Sequence, residues 1–306
     1  IGARLTDAMQ VLKTTNPALL VLACSFFILS IIVWLISWAF LIKKRRPLGF
    51  KTCLFVGFSA VYGSLTPVQV GADMLRSLWL KQSFGVPYSE SISASMVVKG
   101  IKFLLIALFS SSLIFLFLVS AKDPLLLMGL FSGFFVVMLA ALLFLLPLKK
   151  EFGIAISNLF GKIAGFIPPA AKLQSFFKSY SDYLSGLGWK SILTVAVLSA
   201  CSLLLEFLAL FYSFKAIALS IPLASIAILF VLIAILERTP FLPRGIGLVE
   251  GMGFAYLSMP FVAAEISLAQ IGALLIVFDF VRLVLPAIAS LGLHSLMASR
   301  GLDYSE

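Results

Sequence analysis

The sequence predicts an all-α fold: a polytopic helical membrane bundle carrying two re-entrant, broken-helix hairpins in inverted-repeat arrangement. Three observations lead there. First, 61% of the residues are hydrophobic, only 12% are charged and the mean hydropathy is +1.13, a composition that cannot cover a water-facing surface. Second, apolar runs long enough to cross a bilayer core recur along the chain, and about 20 residues suffice for one crossing. Third, two short signals lie almost half a chain apart, Thr66-Pro67-Val68-Gln69-Val70-Gly71-Ala72-Asp73 and Leu242-Pro243-Arg244-Gly245-Ile246-Gly247-Leu248-Val249-Glu250. Each places proline, glycine and then a carboxylate inside apolar sequence, and paired interruptions of this kind point to a binding site between structural repeats.

In chain order, Ala18 to Ile42 is the first charge-free span, followed at once by Lys43, Lys44, Arg45 and Arg46. Thr52 to Leu65 is too short to cross and runs into the first signal, which suits a hairpin that enters and returns. Phe103 to Ala121 and Pro124 to Leu148 are the next charge-free spans. From Lys149 to Lys190 the pattern is amphipathic: Phe152, Ile156, Leu159, Phe160, Ile163 and Phe166 share one helical face, and Leu173, Phe176, Phe177, Tyr180, Leu184 and Leu187 share a second, with Pro168 and Pro169 between. Two helices on the inner membrane surface are expected, as a linker or as a seat for anionic lipid. Ser191 to Phe214 and Ile266 to Leu293 complete the spans, interrupted by Glu206 and by Asp279 with Arg282. Ala216 to Leu236 and Ile246 to Phe261 flank the second signal as the second hairpin. Residues 1–306 thus read as one transmembrane domain, with a first half over about 18–148, a linker over 149–190 and a second half over about 191–299.

Basic residues set the orientation. Lys43 to Arg46 with Lys51, and Lys149, Lys150, Lys162, Lys172, Lys178 and Lys190, belong on the cytoplasmic side. Arg76, Lys81, Lys99 and Lys102 join them if the first hairpin returns to the side it came from. An integral, multi-pass protein of the cell membrane is expected, with its amino terminus outside and its carboxyl terminus inside. The first apolar stretch reads as a permanent anchor rather than a cleaved leader. The net charge of +10 belongs to topology and anionic headgroups, not to nucleic acid. Cys24, Cys53 and Cys201 are unclustered and read as packing residues, and His294 is the only histidine, which leaves too few parts for a metal site or a Ser/His/Asp triad. The histidine reads as a surface group at an inner helix end. No GxxxxGK[ST] is present. No cofactor, no metal and no catalytic residue are expected, and the chain is not read as an enzyme.

The residues that carry potential chemistry are ionisable groups at membrane depth: Asp73, Arg76, Glu206, Glu237, Arg238, Arg244, Glu250, Asp279 and Arg282. Such groups face a bundle interior or a wet cavity. Asp73 with Arg76, and Asp279 with Arg282, share the i, i+3 spacing of one helical face; each is either a pair that keeps helices in register or part of a ligand site. In the second hairpin Arg238 and Arg244 bracket Pro240 and Pro243, while Gly245 and Gly247 let backbone amides approach a ligand. A helix starting near Ile246 would turn its positive end to an anion such as phosphate. Alternatively, Glu250 caps that helix and neutralises Arg244. The substrate-binding set is therefore Pro67, Gly71, Asp73, Arg76, Glu237, Arg238, Pro243, Arg244, Gly245, Gly247, Glu250, Asp279 and Arg282. Gly129 and Gly133, with Gly100, offer close helix contacts inside the chain or in a homo-oligomer.

Thr66 to Arg76 with Pro67, Gly71, Asp73 and Arg76, then Val97-Val98-Lys99, then Leu242 to Glu250 resemble the transmembrane region of lysylphosphatidylglycerol synthases and their stand-alone, flippase-like relatives. The resemblance extends over about Ala18 to Ser299. Gly-Ala-Asp stands here where the family often has Gly-Gly-Asp or Gly-Glu, Lys99 where arginine is common, and Arg244 where glycine is common. The resemblance implies a membrane domain that moves polar or charged lipids between leaflets through a cavity lined by two re-entrant hairpins. Membrane lipids with a phosphate-containing headgroup are the implied partners. Two-domain relatives carry an aminoacyltransferase domain after the membrane part; the sequence ends about a dozen residues after its last span, so no such domain and no synthase activity are expected. A secondary transporter of a small anion is the alternative, followed by a membrane-embedded enzyme using Asp73, Glu206 or Glu250 as acid or base. A slot open sideways to lipid would favour flipping, and a closed central cavity would favour a soluble anion.

Overall fold

The computed structural model describes residues 9–66, 70–120, 124–164, 169–237, 243–259, 262 and 266–299. Pro67 and Arg238 lie outside these residues. Every regular element described is helical: α1 (Pro17–Arg45), α2 (Phe50–Ser59), a 3-10 turn (Val61–Leu65), α3 (Val70–Phe84), α4 (Tyr88–Ser120), α5 (Pro124–Leu145), α6 (Lys150–Ala164), α7 (Pro169–Ser185), α8 (Trp189–Ala216), α9 (Leu223–Leu236), a second 3-10 turn (Pro243–Gly245), α10 (Leu248–Leu257), α11 (Leu268–Asp279), a π-helical turn (Phe280–Val284) and α12 (Leu285–Ser299). Among the described residues, four helical stretches are long and apolar enough to cross a membrane: Pro17–Arg45, Tyr88–Phe115, Trp189–Ala216 and the continuous Leu268–Leu296. Phe131–Leu145 adds a fifth if it is taken together with Lys150–Leu159, into which it bends by 101°. The molecule is a helical integral membrane protein.

Local chemistry sets the ends of these helices. Asn16 caps α1, its Oδ1 accepting from the Ala18 and Leu19 amides at 3.0 and 3.3 Å, with Pro17 at the first helical position. Lys43, Lys44 and Arg45 fill its last turn, where cations favour the negative end of the helix. These basic residues also hold neighbours: Lys44 donates to Ser191 at the start of α8, Arg45 to the Tyr183 carbonyl at 2.9 Å, and Arg46 pairs with Glu90 at 2.6 Å. The end of α1, the starts of α4 and α8, and α7 therefore lie at one end of the bundle. At the opposite end the Asn16 amide donates to the Ala216 carbonyl at 2.7 Å.

The leading spans of the two halves, α1 and α8, pack along each other, as do α4 with α5 and α6 with α7. One apolar core belongs mainly to the second half around α9, whose Ile226 to Ile235 stretch is almost wholly buried. A second joins α1, α2, α4 and α7 through Trp38, Val56, Val98 and Tyr180. The amphipathic pair is more embedded than the sequence suggests. In α7, Tyr180 donates to the Phe144 carbonyl at 2.6 Å and Tyr183 to the Leu41 carbonyl at 3.2 Å, and burial pushes the Tyr180 phenol up, keeping it a neutral donor. Only α6 leaves Phe152, Ile154 and Leu159 exposed.

Three expectations change. Phe103 is not where the second span begins: α4 starts at Tyr88, so Lys99 and Lys102 belong to the span instead of a loop. His294 is half-buried and stacks on Trp79, with ring centroids 4.9 Å apart and planes 7° from parallel. Cys201 is exposed, whereas Cys53 is a buried packing residue. The expected glycine contacts are internal where they are described: a Cβ on Gly100 would lie 2.7 Å from Phe144 Cβ, and one on Gly133 2.7 Å from Ile235 Cδ1.

Candidate functional site

Both interrupted segments are helix, 3-10 turn and helix, and their turns touch: Val61–Leu65 packs against Pro243–Gly245. A broken helix leaves backbone groups without intrahelical partners, and at membrane depth the protein itself must supply them. In the first segment Thr66 Oγ1 accepts from the Gly71 amide at 2.9 Å and donates to the Gly63 carbonyl at 2.8 Å. Ser290, buried on α12, donates to the Ser59 carbonyl at 3.0 Å and accepts from the Tyr62 amide at 2.9 Å. Gly63 and Gly71 let the two arms close: a Cβ on Gly71 would fall 2.6 Å from the Gly63 oxygen.

The second segment is held by one fully buried cation. Arg282 Nε donates to Asp279 at 2.8 Å, Nη1 to Glu237 at 3.0 Å and to the Arg244 carbonyl at 3.1 Å, and Nη2 to Glu250. Its position in a π-helical turn, a distortion common at functional sites, accompanies this convergence. Pro286 brings no N–H to the Arg282 carbonyl four residues before it, and Arg244 Nη1 donates to that oxygen at 2.6 Å. Glu250 also accepts from the Gly247 amide. The positive end of α10 is thus occupied by the chain's own carboxylate, and Glu250 neutralises Arg282 in place of Arg244. Gly245 (φ 67°) and Gly247 (φ 87°) take left-handed conformations, and so does Arg244 (φ 47°), where a side chain costs roughly 1–2 kcal/mol. Gly245 also sits where a Cβ would be 2.7 Å from the Leu236 oxygen, so its close approach is to α9.

Between the segments lies a cavity of about 720 Å3. Its lining includes Asp73 and Arg76 of α3, Lys99 and Lys102 of α4, Glu206 of α8, Glu237 at the end of α9 and Arg244: four cations against three carboxylates, a net charge of +1. Asp73 is shared by Lys99 and, at 3.4 Å, by Arg76. Lys102 pairs with Glu206 at 2.5 Å and donates to Ser202 at 3.3 Å, and Ser202 in turn donates to the Ser30 carbonyl, tying α4, α8 and α1 together. Arg76 lies over the Trp34 ring at 4.5 Å and near Trp38 at 5.6 Å, a cation–π arrangement that fixes the guanidinium plane. The apolar lining includes Val70 and Met74 of α3 and Val136, Ala140 and Leu143 of α5. Met74, Val136 and Leu143 are also more than half exposed. Helices α3 and α5 both pack on α4 and share at most marginal contact with one another.

Of the residues expected at a site, the structure gathers Asp73, Arg76, Glu237 and Arg244 on the cavity. It places Gly71, Gly245 and Gly247 in the folding of the segments, and Glu250, Asp279 and Arg282 in the buried cluster. Pro243 opens the second 3-10 turn. Lys99, Lys102, Glu206 and Trp34 join the cavity. The two lysines could have been found from their i, i+3 spacing on a helix opened by Pro87. Among the described residues no group of three or more metal-ligating side chains occurs.

No curated protein and no solved structure matches the chain. The model of the lysylphosphatidylglycerol synthase TM region matches residues 2–290, and with four to five helices able to cross a membrane the chain belongs to that family.

Proposed function

We propose that this protein is a lipid translocase: a polar or charged headgroup passes through the cavity while the acyl or isoprenoid tails stay in the bilayer. The observation that carries this reading is that charged and exposed apolar side chains line one space: Met74, Val136 and Leu143 share the cavity with Asp73, Arg76, Lys99 and Lys102. A path for a soluble anion has no use for such an apolar wall. Charges within spanning helices are expensive and mark substrate pathways, and the excess of one cation suits a phosphate-containing headgroup.

In this reading the two interrupted segments are re-entrant hairpins entering from opposite faces, related as an inverted repeat, with their tips meeting near the midplane. The basic end of α1 and the α6–α7 linker face the cytoplasm, the amino terminus lies outside and the carboxyl terminus inside. The protein makes and breaks no covalent bond, and nucleic acid is not a partner.

The test is movement of headgroup-labelled phospholipids and a labelled polyprenyl phosphate in proteoliposomes, comparing the unmodified protein with Ala140→Trp, which narrows the cavity from its α5 wall. The unmodified protein is expected to speed exchange between leaflets, and the variant to slow it at least tenfold with an unchanged melting temperature. Exchange no faster than in protein-free vesicles for every lipid tried would end this reading, and uptake of inorganic phosphate by the same vesicles would replace it with anion transport.

A further inference from the structure

We propose that Arg76, Lys99 and the Trp34 ring form a phosphate subsite for a lipid headgroup; this rests on the translocase reading and assigns the place within the cavity where the headgroup is held. Arg76 is 3% exposed, yet it lines the cavity. Its Nε donates to the Ala72 carbonyl at 3.0 Å and its Nη2 lies 3.4 Å from Asp73, whereas its buried Nη1 has no hydrogen-bond partner among the described residues. Leaving a buried donor unsatisfied costs about 1–3 kcal/mol, more for a charged group, so this donor is preserved against a standing penalty. An acceptor arriving through the cavity removes it.

The chemistry of that acceptor follows from its surroundings. Asp73 is one carboxylate between two cations, Arg76 and Lys99, which leaves one positive charge in excess at this wall. The Trp34 ring, itself a lining residue, lies 4.5 Å from the guanidinium carbon and holds the planar fork in one orientation. A planar fork with an ammonium beside it matches a tetrahedral oxyanion, whose several oxygens can accept from both at once. The lipid source is favoured by Met74, which lines the same cavity two residues before Arg76 and is 60% exposed. A phosphate on Arg76 therefore has an apolar side chain beside it to meet the chains it carries. The buried cluster around Arg282 offers no equivalent, because that guanidinium already donates to three carboxylates and a carbonyl.

Trp34 makes binding visible without any transport assay. In purified protein carrying Trp79→Phe and Trp189→Phe, the remaining Trp34 and Trp38 both lie near Arg76. Their emission is titrated with phosphatidic acid, with diacylglycerol of the same chains and with inorganic phosphate. Phosphatidic acid is expected to saturate the signal, with diacylglycerol and inorganic phosphate each at least tenfold weaker. Arg76→Gln should abolish the response. Because Arg76 is buried beside Asp73, Lys99→Gln on the partly exposed side chain is the second variant, expected to weaken phosphatidic acid about tenfold, or ~1.4 kcal/mol, with its melting temperature retained. Equal responses to phosphatidic acid and diacylglycerol, or undiminished binding by Lys99→Gln, would overturn the subsite. An inorganic phosphate response as strong as that of phosphatidic acid would overturn the lipid assignment. Phosphatidic acid binding in a protein that moves no lipid leaves the subsite standing and sinks the translocase reading, while lipid movement with no dependence on the phosphate does the reverse.

Discussion

The two broken segments use the same residue types in opposite ways. Around the second, one guanidinium is saturated: Arg282 meets Asp279, Glu237, Glu250 and the Arg244 carbonyl and is fully buried. Around the first, one carboxylate is shared: Asp73 serves Arg76 and Lys99, and a donor of Arg76 is left over at a cavity wall. Backbone repair differs in the same sense. In the first segment neutral hydroxyls, Thr66 and Ser290, satisfy the open amides and carbonyls, which leaves its charges for the cavity. In the second the charges themselves perform the repair, through Glu250 on the Gly247 amide and Arg244 on the Arg282 carbonyl. Charges at membrane depth are thus not one population: those consumed by backbone and by each other hold the fold, and those left incompletely paired are available to a ligand.

The largest effect that would break this comparison is at Arg282. Arg282→Met leaves Glu237, Glu250 and Asp279 without their common cation, and breaking a buried pair on one side costs about 3–5 kcal/mol. A collapse of the detergent melting temperature is expected; retention of it would mean that the cluster is not what holds the second segment. Next is Gly71→Val, which drives a branched side chain into the Gly63 oxygen and Thr66. Overpacking of this kind costs about 1–3 kcal/mol, and protection of the Thr66 and Gly71 amides from hydrogen exchange should fall while that of α10 is kept. The smallest effect on stability is expected for Arg244→Gly. Release from a left-handed conformation gains roughly 1–2 kcal/mol and loss of the charged hydrogen bond to the Arg282 carbonyl costs about 1.5–3 kcal/mol, so the two largely offset and the melting temperature should fall only slightly. The cavity nevertheless loses one of its four cations, falling from +1 to neutral, and capture of anionic lipid should weaken more than that of zwitterionic lipid. Equal weakening of both would assign Arg244 to the scaffold alone.

Much of the site was legible in the sequence because proline, glycine and charge are each costly inside an apolar run, so their coincidence marks a place. Asp73, Arg76, Glu237 and Arg244 were singled out that way, and in the structure they line one cavity. Lys99 and Lys102 were missed as site residues because a search for charge-free windows starts a span after its last charge, and a helix whose lysines are paired has no such window until Phe103. The gathering of Glu250, Asp279 and Glu237 on one arginine was out of reach for a different reason: Glu237 and Arg282 are 45 positions apart, and periodicity speaks only of neighbours within a few turns.

By itself, then, the sequence determined that the chain is a helical membrane protein with two interruptions and a scarce set of deep charges, because hydropathy, helix breaking and the cost of burying charge are properties of short segments. Tertiary structure alone decided which carboxylate meets which cation, that the two turns touch, and that charges from both segments line one cavity. Those outcomes depend on which helices pack on α4 and where the π-helical turn aims Arg282, and both are set by packing over distances that no local pattern encodes.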